Sequence, residues 1–164
     1  MARLPGRTEG GYPFASSLPA SGVLGRLSCV VVHHRGLDDL DRCLDSLGRQ
    51  GDPDLEIILV DNGSTEPPIA RPGLRLLTLP RNLGFGGGVN AGLSLATGEL
   101  LLLLNPDAEL DPGALAALRR ASRNADIVAP RLLLRDEPER LDNCGHGLYP
   151  DGLNWCRGRG EPAQ

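Results

Sequence analysis

Apolar residues fall in short runs separated by stretches rich in Gly, Pro, Asp and Asn, and the runs alternate between two spacings. Leu27-Ser28-Cys29-Val30-Val31-Val32 is compact and rich in β-branched residues, and it ends in His33-His34-Arg35-Gly36. It predicts a strand covered on both faces. Leu37, Leu40, Leu44 and Leu47 then recur at helical spacing, with Cys43 on the same face. Asp38, Asp39, Asp41, Arg42 and Asp45 lie largely outside that face, which predicts an amphipathic helix capped by Asp38. After Gly51-Asp52-Pro53, the run Leu55 to Val60 predicts a second strand leading into Asp61-Asn62-Gly63-Ser64. Strand, helix, strand with short connections implies a parallel pair with a right-handed crossover. Asp61 then lands on the same sheet edge as His33.

The pattern continues with a Pro-rich loop over 65–73 and a third strand from Leu74 to Leu79. A glycine-rich stretch, Pro80 to Gly92, reads as a loop, and a helix through Leu93, Leu95 and Ala96 follows it. Leu100 to Leu104 are five consecutive leucines between Gly98 and Pro106. They predict a strand buried on both faces around which the chain is organised, and the run is far short of the ~20 apolar residues that cross a bilayer. Asp111-Pro112 reads as a helix start with Asp as cap, continued by Ala114 to Ser122. Asp126 to Pro130 predicts another short strand, and Arg131 to Leu134 extends the sheet or begins an edge hairpin. Residues 135–164 are polar and Gly-rich with no clear second core, and residues 1–26 read as a disordered leader.

Composition narrows the function. The 164 residues suffice for one domain. All 17 basic residues are Arg, and the net charge of -4 argues against nucleic acid as the main partner. Aromatic residues make up only 3%, so base-stacking platforms are not expected. No stretch reads as a signal peptide or a transmembrane segment, so a cytoplasmic protein is expected, at most peripheral at the inner face of the membrane.

Candidate chemistry lies at the strand ends. Ligands of open parallel sheets bind beyond the carboxyl ends of the strands, where His33, Asp61 and Asp107 all fall. Asn105-Pro106-Asp107 alone is compatible with a plain turn, since all three residue types favour turns. An acid held there by a stiff Pro turn is also placed to hold a divalent cation, although for the motif alone the plain turn is the simpler reading. His33 and His34 point to opposite sides of a strand end, so one ring is expected to face a ligand and the other solvent. Gly86 to Ala91 satisfies G-x-G-x-x-A, but the loop from Pro80 separates it from its strand. What the glycines support is close backbone approach, with free N–H groups at a helix start suited to phosphate. Cys144, His146 and Cys156 are a weak zinc alternative lacking a C-x-x-C pair.

Four stretches carry a resemblance in order and spacing: Val30 to Arg35, Val60-Asp61-Asn62-Gly63-Ser64, Asn82 to Gly92, and Leu103-Leu104-Asn105-Pro106-Asp107. Together, over about residues 27–160, they resemble the nucleotide-binding part of family 2 glycosyltransferases, especially the bacterial rhamnosyltransferase-like branch. The resemblance implies an α/β fold of GT-A type, a mainly parallel sheet flanked by helices. It also implies inverting transfer of a sugar from a dTDP-, UDP- or GDP-linked donor to a polysaccharide, lipid-linked or other glycan acceptor. On this reading Asp61 and Asn62 contact the base or ribose, and His33 occupies a slot where the family usually carries an aromatic residue. Asn82, Gly84 and Asn90 would line the nucleotide and sugar. Asn105-Pro106-Asp107 matches the DxD-type motif, with Asp107 binding Mg²⁺ or Mn²⁺ and Asn105 orienting it or a water.

The general base of an inverting transfer has no candidate here, because the family carries it in a Glu-Asp segment that this sequence lacks. Asp136-Glu137 reverses that order, and Asp142 and Asp151 have no matching context. The chain therefore reads as a donor-binding part, apparently truncated before the acceptor half, with self-association favoured if a sheet edge is left exposed. A non-catalytic nucleotide-sugar-binding module and an NAD-type oxidoreductase are the alternative readings. A sugar-nucleotide pyrophosphorylase fits less well, since the first strand does not open into a Gly-rich loop.

Overall fold

A computed structural model describes residues 25–163. Apart from its last two residues, the expected leader over 1–26 lies outside the described residues. Seven strands and helices form the main body: β1 (Leu27–His33), α1 (Leu37–Gly48), β2 (Leu55–Asn62), β3 (Leu74–Leu79), α2 (Gly84–Leu93), β4 (Leu100–Leu104) and α3 (Ala114–Ala121). The four strands make one parallel sheet in the order β3-β2-β1-β4. Two small antiparallel ladders follow, β5 (Leu132–Leu133) with β6 (Leu141–Asn143), and β7 (His146–Leu148) with β8 (Asn154–Cys156).

The period-2 geometry of β1 sends alternate side chains into two cores. Cys29, Val31 and Leu59 meet Leu40, Cys43, Leu44 and Leu47 of α1, with Leu115 of α3, on one face. Val30, Val32, Ile58 and Val60 meet Val89 of α2 on the other. Every residue of β1 is buried, so the organising strand is β1 and not the leucine run. In β4, Leu100, Leu102 and Leu104 join the α1 core, but Leu101 and Leu103 are exposed, Leu103 by 50%. β4 has one hydrogen-bonded neighbour among the described residues and α2 packs over β1 and β2, so that side of β4 is left partly open.

Other boundaries differ from expectation for local reasons. The glycine-rich stretch is helix: α2 runs from Gly84 to Leu93, and the chain has left it before Leu95 and Ala96. Glycine is a poor helix former, but here it allows very close packing. A Cβ on Gly88 would sit 2.6 Å from Val32 Cγ1, and one on Gly92 would sit 2.5 Å from Val30 Cγ1. The pattern that invited a dinucleotide reading is thus in part the footprint of a helix lying directly on valines.

Asp38 does not cap α1 and Asp111 does not cap α3; glycines in the left-handed region, Gly36 and Gly113, stand at the N-caps. Asp38 sits instead in the first turn of α1, where its charge suits the helix dipole. The strand expected at Asp126 to Pro130 does not form, and Ile127 is exposed. Of the two options for Arg131 to Leu134, the separate hairpin is the one observed, because Leu132 and Leu133 pair with β6 and not with the main sheet. No helix among the described residues is long and apolar enough to cross a membrane.

Candidate functional site

Parallel register brings the strand ends together. His33 is the Cα partner of Asp61, and Val31 is the partner of Leu104, so the loops after β1, β2 and β4 open on one edge. His33 and Asp61 are each about 1% exposed. The Asp61 carboxylate accepts a bond from Ser64 N–H at 3.0 Å, turning the chain sharply after β2. Gly63 has φ +65, and a Cβ on it would collide with the backbone of Arg81 and Asn82. The turns after β2 and β3 are therefore pressed together.

Burial lowers the His33 pKa, and His34 lowers it further, while Asp61 and the Glu66 backbone act in the other direction. The ring is thus held toward its neutral form. Nδ1 of both His33 and His34 is buried with no hydrogen-bond partner among the described residues. Of the two rings, His33 is buried and His34 is half-buried, so neither lies fully in solvent. An imidazole beneath the surface offers a polar atom more readily than a stacking face.

Asn62, Asn82 and Gly84 form a tie between β2 and the start of α2. Asn62 Nδ2 donates to Asn82 Oδ1 at 3.1 Å and to the Gly84 carbonyl at 3.0 Å. Leu83 N–H donates to Asn62 Oδ1 at 2.9 Å, and Gly84 N–H to Asn82 Oδ1 at 2.7 Å. Both polar ends of the buried Asn62 are consequently engaged, which makes it a brace for the loop. Two N–H groups expected to be free at this helix start are also taken. Asn90 lies exposed on α2, three residues before the helix ends.

The third strand end is a turn fixed from one side. Asn105 and Asp107 are exposed, and the Asp107 carboxylate has no hydrogen bond or ion pair among the described residues. The backbone around them is held by α1: Cys43 Sγ lies 3.5 Å from the Asn105 carbonyl, and Ser46 Oγ accepts from Leu110 N–H at 3.0 Å. Gln50 Nε2 donates to the Asp111 carbonyl at 3.0 Å. Arg135 adds a further bond, Nη2 to the Asp107 carbonyl at 2.6 Å. None of these supports carries a local sequence signal, since each joins residues 28 to 64 positions apart.

A divalent cation fits this turn. Asp107 offers an unpaired carboxylate and Asn105 a neighbouring amide oxygen, both hard oxygen donors. No group of three His, Cys, Asp or Glu residues converges on a metal-sized site among the described residues. That suits an ion completed by water and substrate oxygens better than one enclosed by protein. It also leaves Cys144, His146 and Cys156 without a zinc-like cluster, and His146 Nε2 pairs with Asn143 instead. A cavity of about 260 Å³ lies at the amino ends of β1 and β4, lined by Leu27, Leu100, Leu102, Leu115 and Arg119 among others. No candidate site residue lines it.

Residues 28–146 match the family model for glycosyl transferase family 2. The chain is 34% identical over 127 residues to an N-acetylglucosaminyl-diphospho-decaprenol L-rhamnosyltransferase of Mycobacterium tuberculosis, covering 67% of this chain and 41% of that protein. It is 29% identical to the succinoglycan biosynthesis protein ExoO of Rhizobium meliloti, covering 70% of this chain and 34% of that one. The chain thus spans about two fifths or less of the length of these curated relatives. In fold it is similar to Staphylococcus aureus TarS 1-349, with a TM-score of 0.53 at 22% identity over 68% of this chain and 43% of that one. It is also similar to the mannosyltransferase PcManGT from Pyrobaculum calidifontis, whose structure is in complex with GDP-Man and Mn²⁺, with a TM-score of 0.52 at 23% identity over 58% and 31%. The mainly parallel sheet flanked by helices is accordingly of the GT-A type, and the chain belongs to glycosyl transferase family 2.

Proposed function

We propose that residues 27–160 are the donor-binding part of an inverting glycosyltransferase that takes a dTDP-, UDP- or GDP-linked sugar in the presence of Mg²⁺ or Mn²⁺. The acceptor class is a glycan, polysaccharide or lipid-linked saccharide, and the setting is the cytoplasm, at most peripheral to the membrane. The observation that carries the reading is the register that sets buried His33 and Asp61 on the same edge as the unpaired carboxylate of Asp107.

Asp61 and His33 would meet the base or ribose: a carboxylate accepts N–H or O–H groups, and a neutral imidazole offers one donor and one acceptor. Asn62, Asn82 and Gly84 hold the α2 loop where it would pass the nucleotide, with Asn90 exposed along the same helix. Asp107 would hold the cation, with Asn105 beside it. When bound, that cation offsets the negative charge gained by the departing diphosphate, with no proton needed. Asp107 should therefore matter more to turnover than to nucleotide binding alone. The chain's contribution is binding and orientation; no residue in it is assigned the acceptor's proton.

The test is thermal stabilisation by UDP, dTDP and GDP, each with and without Mn²⁺, on the wild type and on Asp107→Ala. A nucleotide at a hundred times its dissociation constant adds about 2.7 kcal/mol. The expected result is a shift with one nucleotide that requires Mn²⁺ and is lost in Asp107→Ala. A Mn²⁺-dependent shift that persists in Asp107→Ala would remove that residue from the metal site.

A further inference from the structure

The Asp107 turn has a support on the side away from the core. Arg135 follows β5 at the sequence Leu133-Leu134-Arg135, and its guanidinium makes two hydrogen bonds with different nitrogens. Nη2 donates to the Asp107 carbonyl at 2.6 Å, and Nη1 donates to Asp39 Oδ1 at 2.9 Å. Asp39 belongs to the first turn of α1, the helix that begins four residues after His33. It is also paired with Arg42, which in turn reaches Glu109 at 3.5 Å. One planar side chain therefore joins the first turn of α1 to the turn after β4.

The contacts from α1 reach Asn105 and Leu110, and Gln50, just past the helix, reaches Asp111, but none of these touches Asp107 itself. The peptide plane after Asp107 is held from outside the turn by Arg135 and within it by Ala108 N–H, which donates to the Asn105 carbonyl at 3.1 Å, and the Asp107 carboxylate is left free. A carboxylate that coordinates a cation without a cage depends on its backbone for direction, because few other protein ligands correct its aim. A guanidinium suits that task, since its rigid fork spans two acceptors at fixed separation.

We infer that Arg135 is a positioning residue that fixes the Asp107 backbone against Asp39 so that the Asp107 carboxylate is presented to the donor-site cation. This deepens the donor-site reading proposed above and rests on it. Arg135 faces the charges of Asp39, Glu109 and Asp107 together, and the bridge between Asp39 and the Asp107 carbonyl is the part that depends on its geometry. Lysine keeps the charge but concentrates it on one nitrogen, so it cannot make both bonds in the same way.

The experiment measures the apparent Mn²⁺ dissociation constant in the presence of whichever of UDP, dTDP or GDP stabilises the wild type. Nucleotide affinity without metal and the ligand-free melting temperature are recorded alongside. Arg135→Gln and Arg135→Lys are each expected to weaken Mn²⁺ about tenfold, the usual effect of losing an outer support of a metal ligand. Metal-free nucleotide affinity should stay within twofold of wild type. Asp39→Ala, which removes the far anchor, should act in the same direction with a smaller effect.

Three results would overturn the inference. Full Mn²⁺ affinity in Arg135→Lys would mean that charge alone suffices. Unchanged affinity in Arg135→Gln would mean that the bridge is idle. A metal-free nucleotide loss equal to the Mn²⁺ loss would mean general collapse of the site. If the wild type itself shows no Mn²⁺-dependent stabilisation, the donor-site reading fails first and this inference falls with it. The wild type thus decides one question and the variants the other.

Discussion

Two glycines of α2 separate close packing from helix propensity. Gly86 and Gly92 both lie in the helix with negative φ, and both become alanine by adding one methyl group. A Cβ at position 86 meets nothing within 4 Å, whereas one at 92 lies 2.5 Å from Val30 Cγ1 and 3.0 Å from Val60 Cγ2. Carbon atoms rest at about 3.5–4.0 Å, so α2 or Val30 would have to retreat by roughly 1 Å. Val30 is fully buried and stiff at χ1, so the helix must move. Gly86→Ala is expected to stabilise by about 0.5–1 kcal/mol, through lower chain entropy in the unfolded state and better helix propensity. Gly92→Ala gains much the same propensity term but adds overpacking of about 1–3 kcal/mol. The difference between the two variants isolates that overpacking, because the propensity terms largely cancel. Urea denaturation followed by circular dichroism reads it, with a 2 kcal/mol gap moving the midpoint by about 1 M. Equal midpoints would refute close packing as the reason for the glycines and return the stretch to a phosphate-loop reading.

Further outcomes follow from charges and burial. Burial works to raise the Glu56 pKa, yet bonds from Ser28, Thr97 and Arg75 outweigh it and bring the value down to about 2 from 4.5. The unfolded chain then binds the proton first on acidification, so stability present above pH 4.5 should fall toward pH 2, and Glu56→Gln should flatten that slope in acid titrations of the melting temperature. His33 shows the same sign at higher pH: burial depresses its pKa below 6.5, so stability should decline as pH falls through that value, less so in His33→Gln. Arg119 and Asp52 form a largely buried pair at 2.7 Å, and Asp52→Ala should cost about 3–5 kcal/mol by leaving Arg119 uncompensated. Arg71→Ala, which breaks exposed pairs with Asp41 and Asp45, should cost less than about 1 kcal/mol in the same denaturation assay.

What could be read from the sequence was whatever depends on neighbours along the chain. The β-branched run of β1, the leucine spacing of α1 and the position of Asp61 after β2 each follow from local pattern, and parallel pairing then places the polar strand ends together. The leucine run misled because hydrophobicity reports what a strand would tolerate, not what the chain supplies to cover it. Leu101 and Leu103 are as apolar as Leu102, and only their side of the sheet distinguishes them. The glycines of α2 misled in the opposite sense: low propensity argued for a loop, and contact with Val30 and Val32 overrode it. Arg135 was not legible at all. It stands in a polar stretch with the look of a solvated tail, and its role depends on Asp39, 96 residues earlier.

The two sides of the candidate site are built by different means. On the α2 side, contact between glycines and valines is apolar and holds the Asn62, Asn82 and Gly84 tie at the end of β2. On the α1 side, the Asp107 turn is held by hydrogen bonds and by charged groups, Arg135 and Asp39 above all. Apolar packing is little affected by ionic strength, whereas exposed ion pairs weaken as the Debye length shrinks toward about 3 Å at 1 M salt. Salt should therefore loosen the Asp107 turn before it disturbs the nucleotide side. In hydrogen exchange, amides of residues 105–110 should lose protection between low and high salt while those of α2 keep theirs. Parallel loss on both sides would mean that the two loops open as one unit, and that Arg135 and Asp39 do not set the stability of the turn independently.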